Sequence, residues 1–361
     1  MTQIVCLSQA PWQAIPTRTQ QFMSRMRDAE VLFFEPPAER SDHNYKKPGR
    51  QMRPNVTVYT LPPMWSSSMK QGFLFQRDCQ RLGTFIQSKE QEHRFREPLL
   101  WAATPLAIHL LDYLAYKSLV YDCDRYWTEF PLQWESDLAL ASDLIFAASA
   151  GLVDRLSPCS SNIALLPNGC NYPMFCREDL DTPPGLAELQ GPVMGFCGTI
   201  WKDLDLSPVV AIARRHPEWN ILLLGRTEHN PALATLQGLP NVRFLGRRPL
   251  LEVPEYVQRF HVCLDLRRTG SLGDDVIPSR VYEYFAAGKP VVRMCFPGQM
   301  AEFPDVMSGV YDNEEFIRAC EAMLVNDAPW LPLQRRDYGA AAAWNMRADQ
   351  ILHILENSCL C

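Results

Sequence analysis

Short, nearly unbroken apolar runs recur along this chain, and they constrain the fold more than any other feature. The first half carries IVCLS from Ile4 and VLFFE from Val31, then Leu99 to Ala102, Ser118 to Tyr121, Leu144 to Ala147 and Ile163 to Leu166. The second half carries Val193 to Cys197, Asn220 to Leu224, Val242 to Leu245, Val262 to Leu266 and Val291 to Met294. A strand with one solvated face alternates apolar and polar residues, whereas a strand covered on both faces reads as a continuous apolar run. Between the runs lie helical stretches: about Thr17 to Arg27, a Ser68 to Arg96 segment with aromatic residues and charges at helical spacing, and Ser207 to Arg215. Strand and helix in alternation predict an α/β protein with parallel sheets, and two such series predict two doubly wound, Rossmann-like domains.

The length agrees, because 361 residues exceed what one core usually organises. Acids, prolines and glycines between Cys176 and Gly191 read as a linker. The expected boundaries are therefore a first domain over 1–172, a linker over 173–191, a second domain over 192–337 and a C-terminal helical segment over 338–361. Within that last segment, Tyr338 to Asn357 reads as one helix with an apolar stripe through Trp344, Ile351 and Ile354.

The net charge of −6 argues against nucleic acid as a partner. The apolar run Ile4 to Leu7 is too short for a signal peptide, and no segment approaches the roughly 20 apolar residues needed to span a bilayer. A cytoplasmic protein is expected. The polar segment Asn44 to Pro54 carries Lys46, Lys47, Arg50 and Arg53 and reads as a basic loop, either solvated or resting on the inner face of a membrane. Twelve cysteines, scattered without a CxxC pair, read as reduced core residues, and the terminal Cys359 and Cys361 lack the histidines of a zinc site.

In open parallel sheets, ligands collect beyond the C-terminal ends of the strands. Gly198 and Lys202 follow the run Val193 to Cys197, Gly225 and Arg226 follow Asn220 to Leu224, and Arg267 and Arg268 follow Val262 to Leu266. A stretch with Gly270 and Gly273 then leads to Asp274, Asp275 and the segment VIPSRVYEYFAAGKPVV. There Pro278 suits a first helical turn, Gly288 suits the position past the helix end, and Arg280 sits where a helix N-terminus would hold an anion. Convergent glycines and cations on one sheet edge predict a phosphate-containing ligand. The first half is less marked. Asp122 and Asp124 follow the run Ser118 to Tyr121, and either would serve as a general base or simply cap a turn. Arg18 begins the first helix, where it would meet a ligand phosphate, or merely cover the surface. His93 and His109 read as structural, and no cluster has metal-ligand spacing, so no metal is expected.

The segments GFCGTIWKDLDLSPV, HPEWNILLLGR, LPNVRFLGRRPLLEVPEYVQRFHVCLDL and IPSRVYEYFAAGKPVV, in that order, resemble the donor-binding domain of GT-B fold glycosyltransferases. The likeness is greatest to glycosyltransferase family 4 and related bacterial polysaccharide enzymes. IVCLSQAPW, LVYDCDRYW, ASDLIFAAS and LLPNG extend it to the first domain, and AWNMRADQI resembles the family's crossover helix. The resemblance implies two Rossmann-like domains facing across a cleft, the acceptor held by the first and a nucleotide-diphosphate sugar by the second, with no cofactor beyond the donor and usually retention of configuration. It implies that Glu283 is the second carboxylate of the family's E-x7-E motif, on the nucleotide ribose, and that Asp275, in place of the first glutamate, faces the transferred sugar. Lys202 matches the basic residue that pairs with the diphosphate, with Asp203 in place of the following glycine. Thr199 stands where many relatives have a phosphate-binding arginine, whose charge Arg226 or Arg280 would replace. Leu245 and Gly246, in the segment Arg243 to Arg247, match the turn that reads the base, and Ser279 opens the diphosphate-facing helix. The expected function is sugar transfer to a saccharide or lipid-linked acceptor in bacterial surface polysaccharide or glycolipid synthesis. Sugar-nucleotide epimerisation, phosphorolysis or an inactive nucleotide-binding scaffold are the alternatives.

Overall fold

The structure, a computed structural model, describes residues 2–66, 72–202, 204–268, 270, 273, 275–295, 303 and 306–360. Asp203 and Asp274, singled out above, lie outside the described residues, as does Cys361.

The chain divides into two compact units, one formed by residues 1–167 with 345–361 and the other by residues 168–344. Eight strands form the first unit's sheet: β1 (Thr2–Leu7), β2 (Ala29–Pro37), β3 (Arg50–Arg53), β4 (Val56–Leu61), β5 (Leu99–Ala102), β6 (Ser118–Cys123), β7 (Leu144–Ala147) and β8 (Ile163–Leu165). Their order is β3-β4-β2-β1-β5-β6-β7-β8. All neighbours run parallel except β3, which pairs antiparallel with β4 at the edge. The interior strands β1, β5, β6 and β7 are buried almost throughout, which is why they read as continuous apolar runs. The connecting helices include α1 (Arg18–Met23), α2 (Phe73–Glu92), α3 (Leu132–Ala141) and α4 (Ala150–Leu156).

The second unit has six parallel strands: β9 (Val193–Cys197), β10 (Asn220–Leu224), β11 (Val242–Gly246), β12 (Val262–Asp265), β13 (Val291–Met294) and β14 (Met307–Val310). Their order is β11-β10-β9-β12-β13-β14. Chain order reverses between β9 and β12, so the crevice that receives a ligand in doubly wound sheets lies beyond the ends of these two strands. Side chains along β9 alternate between two cores. Val193 and Cys197 pack with the helices α8 (Val253–Gln258) and α9 (Ser279–Ala286). Met194 and Phe196 pack with α6 (Ser207–Arg215), α7 (Leu233–Gln237) and α10 (Asn313–Val325). A short helix, α5 (Tyr172–Phe175), opens the unit, and α11 (Leu331–Ala341) packs on α9. The last helix, α12 (Trp344–Asn357), follows from Ala343 and joins the first unit: Arg25 donates to Asn345 at 2.8 Å, and the Ser118 hydroxyl donates to the Leu360 carbonyl.

Several elements differ from the sequence expectation. The basic segment Asn44 to Pro54 is not all loop. It holds a 3-10 turn at Asn44–Lys46 and the edge strand β3, whose four residues are exposed and so leave no apolar run to read. The expected single helix from Tyr338 to Asn357 is two, α11 and α12, broken where Ala342, Ala343 and Trp344 pair with Cys170. The helix expected over Thr17 to Arg27 spans only Arg18–Met23, with Thr17 as its N-cap in a capping box with Gln20. The stretch Cys176 to Gly191 lies within the second unit. Among the described residues, no helix is long and apolar enough to cross a membrane.

Candidate active site

In the second unit, the ends of β9 and β10 are drawn together by their glycines. Gly225 sits at φ 145°, and a Cβ on it would fall 1.9 Å from the carbonyl oxygen of Gly198. Only a residue without a Cβ fits there. The close approach lets the ladder continue past the strands, with Gly198 N–H donating to Leu224 and Ile200 N–H to Arg226. Beyond that point Thr199 and Lys202 are exposed, and Lys202 has no ion-pair partner among the described residues. Arg226, also exposed, forms a surface ion pair with Glu228. Gly246 closes β11 and accepts a hydrogen bond from Gly225 N–H at 3.0 Å, while Leu245 packs partly buried against the core.

Helix α9 begins at Ser279, with Pro278 as its N-cap and not in the first turn, since Pro278 is extended at ψ 152°. No side chain caps this end, so while Val281 N–H donates to the Pro278 carbonyl, the N–H groups of Ser279 and Arg280 are open to an anion. The other end is closed as expected: Gly288 sits at φ 75°, Lys289 N–H reaches the Tyr284 carbonyl and Gly288 N–H reaches Phe285. Tyr284 is buried and accepts the Cys197 N–H at 2.8 Å, which ties α9 to the end of β9.

Arg280 is not a free cation. Its Nη2 and Nε both reach Oδ1 of Asp265, at 2.6 and 3.2 Å, and its guanidinium lies over the Phe196 ring at 5.0 Å. Asp265, the last residue of β12, is fully buried and also pairs with the buried Arg293 at 3.3 Å. Burial works against its charge, yet Arg280, Arg293 and Arg267 hold its carboxyl below the usual range. Two arginines on one carboxylate leave surplus positive charge beside the open end of α9. Arg267 also braces the following loop by donating to the Gly273 carbonyl at 2.6 Å. Asp265 was not singled out in the sequence, although an acid closing an apolar strand is a readable signal.

Glu283 lies one turn into α9, half-buried, and its carboxylate has no hydrogen-bond or ion-pair partner among the described residues. Burial pushes its pKa up to about 7, against the pull of Arg280. A desolvated carboxylate without a protein partner is poised to accept hydrogen bonds from a ligand. Asp275 is half-buried in the loop between β12 and α9.

In the first unit, the sequence candidates are engaged with one another. Arg18 opens α1 and pairs with Asp122 of β6 at 3.0 Å, both nearly fully buried. Burial raises the Asp122 carboxyl, and Arg18 opposes the rise. Asp124 pairs with its neighbour Arg125 at 2.9 Å. His109 stacks edge-on against Trp134 and Phe75, and His93 against Tyr59 and Phe95, so both pack in aromatic clusters.

No family model matches the chain. A curated protein of Bacillus subtilis (strain 168), TuaH, assigned to teichuronic acid biosynthesis as a glycosyltransferase, is 27% identical over 282 residues, 70% of each chain. The chain is a glycosyltransferase of the GT-B fold. Solved structures agree on the architecture of this glycosyltransferase. Sucrose-phosphate synthase of Thermosynechococcus elongatus superposes with a TM-score of 0.76 at 14% identity, over 99% of both chains. A trehalose-6-phosphate protein of E. coli, bound with UDP-2-fluoro glucose, gives 0.74 at 12% identity over 98% of this chain and 99% of its own. HepE of Anabaena, in complex with UDP and glucose, gives 0.69 at 16% identity over 99% and 100%.

Proposed function

We propose that this glycosyltransferase moves a sugar from a uridine-diphosphate donor to a saccharide or lipid-linked acceptor in bacterial surface polysaccharide assembly, with retention of configuration. The observation that carries the reading is Glu283, a partly buried carboxylate with no hydrogen-bond or ion-pair partner among the described residues, one turn below an uncapped helix N-terminus at the strand-order reversal. A nucleotide fits both demands, its diphosphate at the helix end and its ribose hydroxyls on the carboxylate. Two structural neighbours hold UDP or a UDP-sugar, and the curated relative is assigned to a surface polysaccharide, which supports the donor and the setting.

Breaking the bond from sugar to diphosphate builds negative charge on the leaving group. Arg280, oriented by Asp265, together with Lys202 and the α9 terminus, stabilises that charge. These groups supply the positive charge the step needs, so the reading assigns no cofactor beyond the donor. Asp275 is the residue proposed to face the transferred sugar. Inversion requires a carboxylate free to take the acceptor proton, but Asp122 and Asp124 are each held by an arginine, which supports retention. Incubation with a panel of UDP-sugars and oligosaccharide acceptors, followed by NMR of the new linkage, tests the proposal. An α-linked product from an α-linked donor is expected. A β-linkage would overturn retention, and absence of any sugar release would overturn the activity.

A further inference from the structure

A cavity is lined wholly by residues of the first unit, none of them part of the donor site. It has a volume of about 460 Å³ and opens at the C-terminal ends of β2 and β4, between the loop after β1, with Trp12, and the basic segment, with Lys47 and Arg50. That volume is in the range of small-ligand pockets, and the C-terminal strand edge is where such sheets bind ligands.

The cavity is built around Glu35, near the end of β2 and 5% exposed. Its Oε1 accepts the Trp12 N–H at 2.8 Å and Nη2 of Arg50 at 2.5 Å, and its Oε2 accepts the Thr60 hydroxyl at 2.5 Å. Glu35 therefore spends its acceptors on the walls and fixes them in place. Asp42 is similarly occupied by the backbone and side-chain amides of Asn44. Lys47, by contrast, lines the cavity with no ion-pair partner among the described residues. Gly49 lets the basic segment lie flat against β4, since a Cβ there would sit 2.6 Å from the Tyr59 ring. From Glu39 to Arg53 the chain carries five lysines or arginines against two acids, a local positive excess in a chain of net charge −6.

Apolar walls from Trp12, Pro36 and Tyr59, fixed polar groups and an uncompensated ammonium suit a sugar that bears a negative charge. We infer that this pocket binds an anionic saccharide, with Lys47 on its carboxylate or phosphate. The inference extends the glycosyltransferase reading by naming the acceptor class, so its test keeps donor binding separate.

Isothermal titration of the full-length protein with tetragalacturonate, glucose 6-phosphate and neutral maltotetraose reads the pocket, and titration with UDP reads the donor site in the same samples. We expect one of the two charged ligands to bind, maltotetraose to bind at least fivefold more weakly, and Lys47→Ala to weaken the charged ligand at least fivefold. UDP binding and melting temperature should stay unchanged in that variant, because Lys47 is exposed and lies in the first unit, not among the donor-site residues. Whether the uronate or the phosphate sugar binds identifies the source of the charge. Failure of both charged ligands while UDP still binds would overturn this inference alone, as would equal binding to wild type and Lys47→Ala. Loss of UDP binding in the wild type would strike the donor reading instead.

Discussion

Three buried strands in this molecule carry, at or near their C-terminal end, a carboxylate that holds an arginine: Glu35 with Arg50, Asp122 with Arg18 and Asp265 with Arg280. At each, the acid is costly to bury and is held in place by its partner. Asp265 shows the consequence most sharply, since removing its charge takes away the carboxylate that the buried Arg293 and Arg280 share. Asp265→Asn should cost about 3–5 kcal/mol of stability, read by urea unfolding, as expected when one partner of a buried pair is deleted. Glu283 is the opposite case, a carboxylate left without a partner among the described residues. Its pKa rises from 4.5 to about 7 on folding. The folded chain thus keeps a proton that the unfolded chain has released between those values, so stability falls as pH rises across that window. Glu283→Gln removes the penalty and should melt above wild type at pH 8, with the gap closing by pH 4.5; a gap that is the same at both would contradict the raised pKa. The sequence made Glu283 legible through its place in a bounded helix. It did not reveal that Arg280 is shared with Asp265, because ion pairing across β12 and α9 leaves no trace in spacing.

At the scale of elements, the parallel strands were legible because burial on both faces leaves an unbroken apolar run. What escaped were elements without that signature: exposed β3, the short β14, and β4, whose apolar run is interrupted by Thr57 and Thr60. The break between α11 and α12 was also hidden, since good helix formers continue through Ala341 to Ala343 and only the pairing with Cys170 interrupts them. The β9 and β10 ends depend on one backbone contact. Gly225→Ala would place a methyl group against the Gly198 carbonyl in a conformation that L-residues avoid. It should cost at least about 2 kcal/mol and weaken nucleotide binding with it, measured by thermal melting in the presence and absence of UDP. A variant that melts like wild type and binds UDP equally would show that the two loops are not fixed by this contact.

At the scale of the molecule, the two units repeat one plan, a parallel sheet whose chain order reverses beside its first strand. In the second unit that reversal collects the open helix end, the paired Arg280 and Glu283. In the first it lies beside the strand-end pairs Arg18–Asp122 and Arg50–Glu35. The last helix belongs with the first unit through Ala348, Ile351 and Leu355, which are buried. The central claim is that the second unit's edge is a nucleotide site centred on Glu283. Titration of the full-length protein with UDP, in wild type and Glu283→Ala at pH 8, tests it most directly. Saturable binding that weakens at least tenfold in a variant of unchanged fold is expected, a loss of about 1.4 kcal/mol or more. Binding of equal strength in both proteins, or none in the wild type, would contradict it.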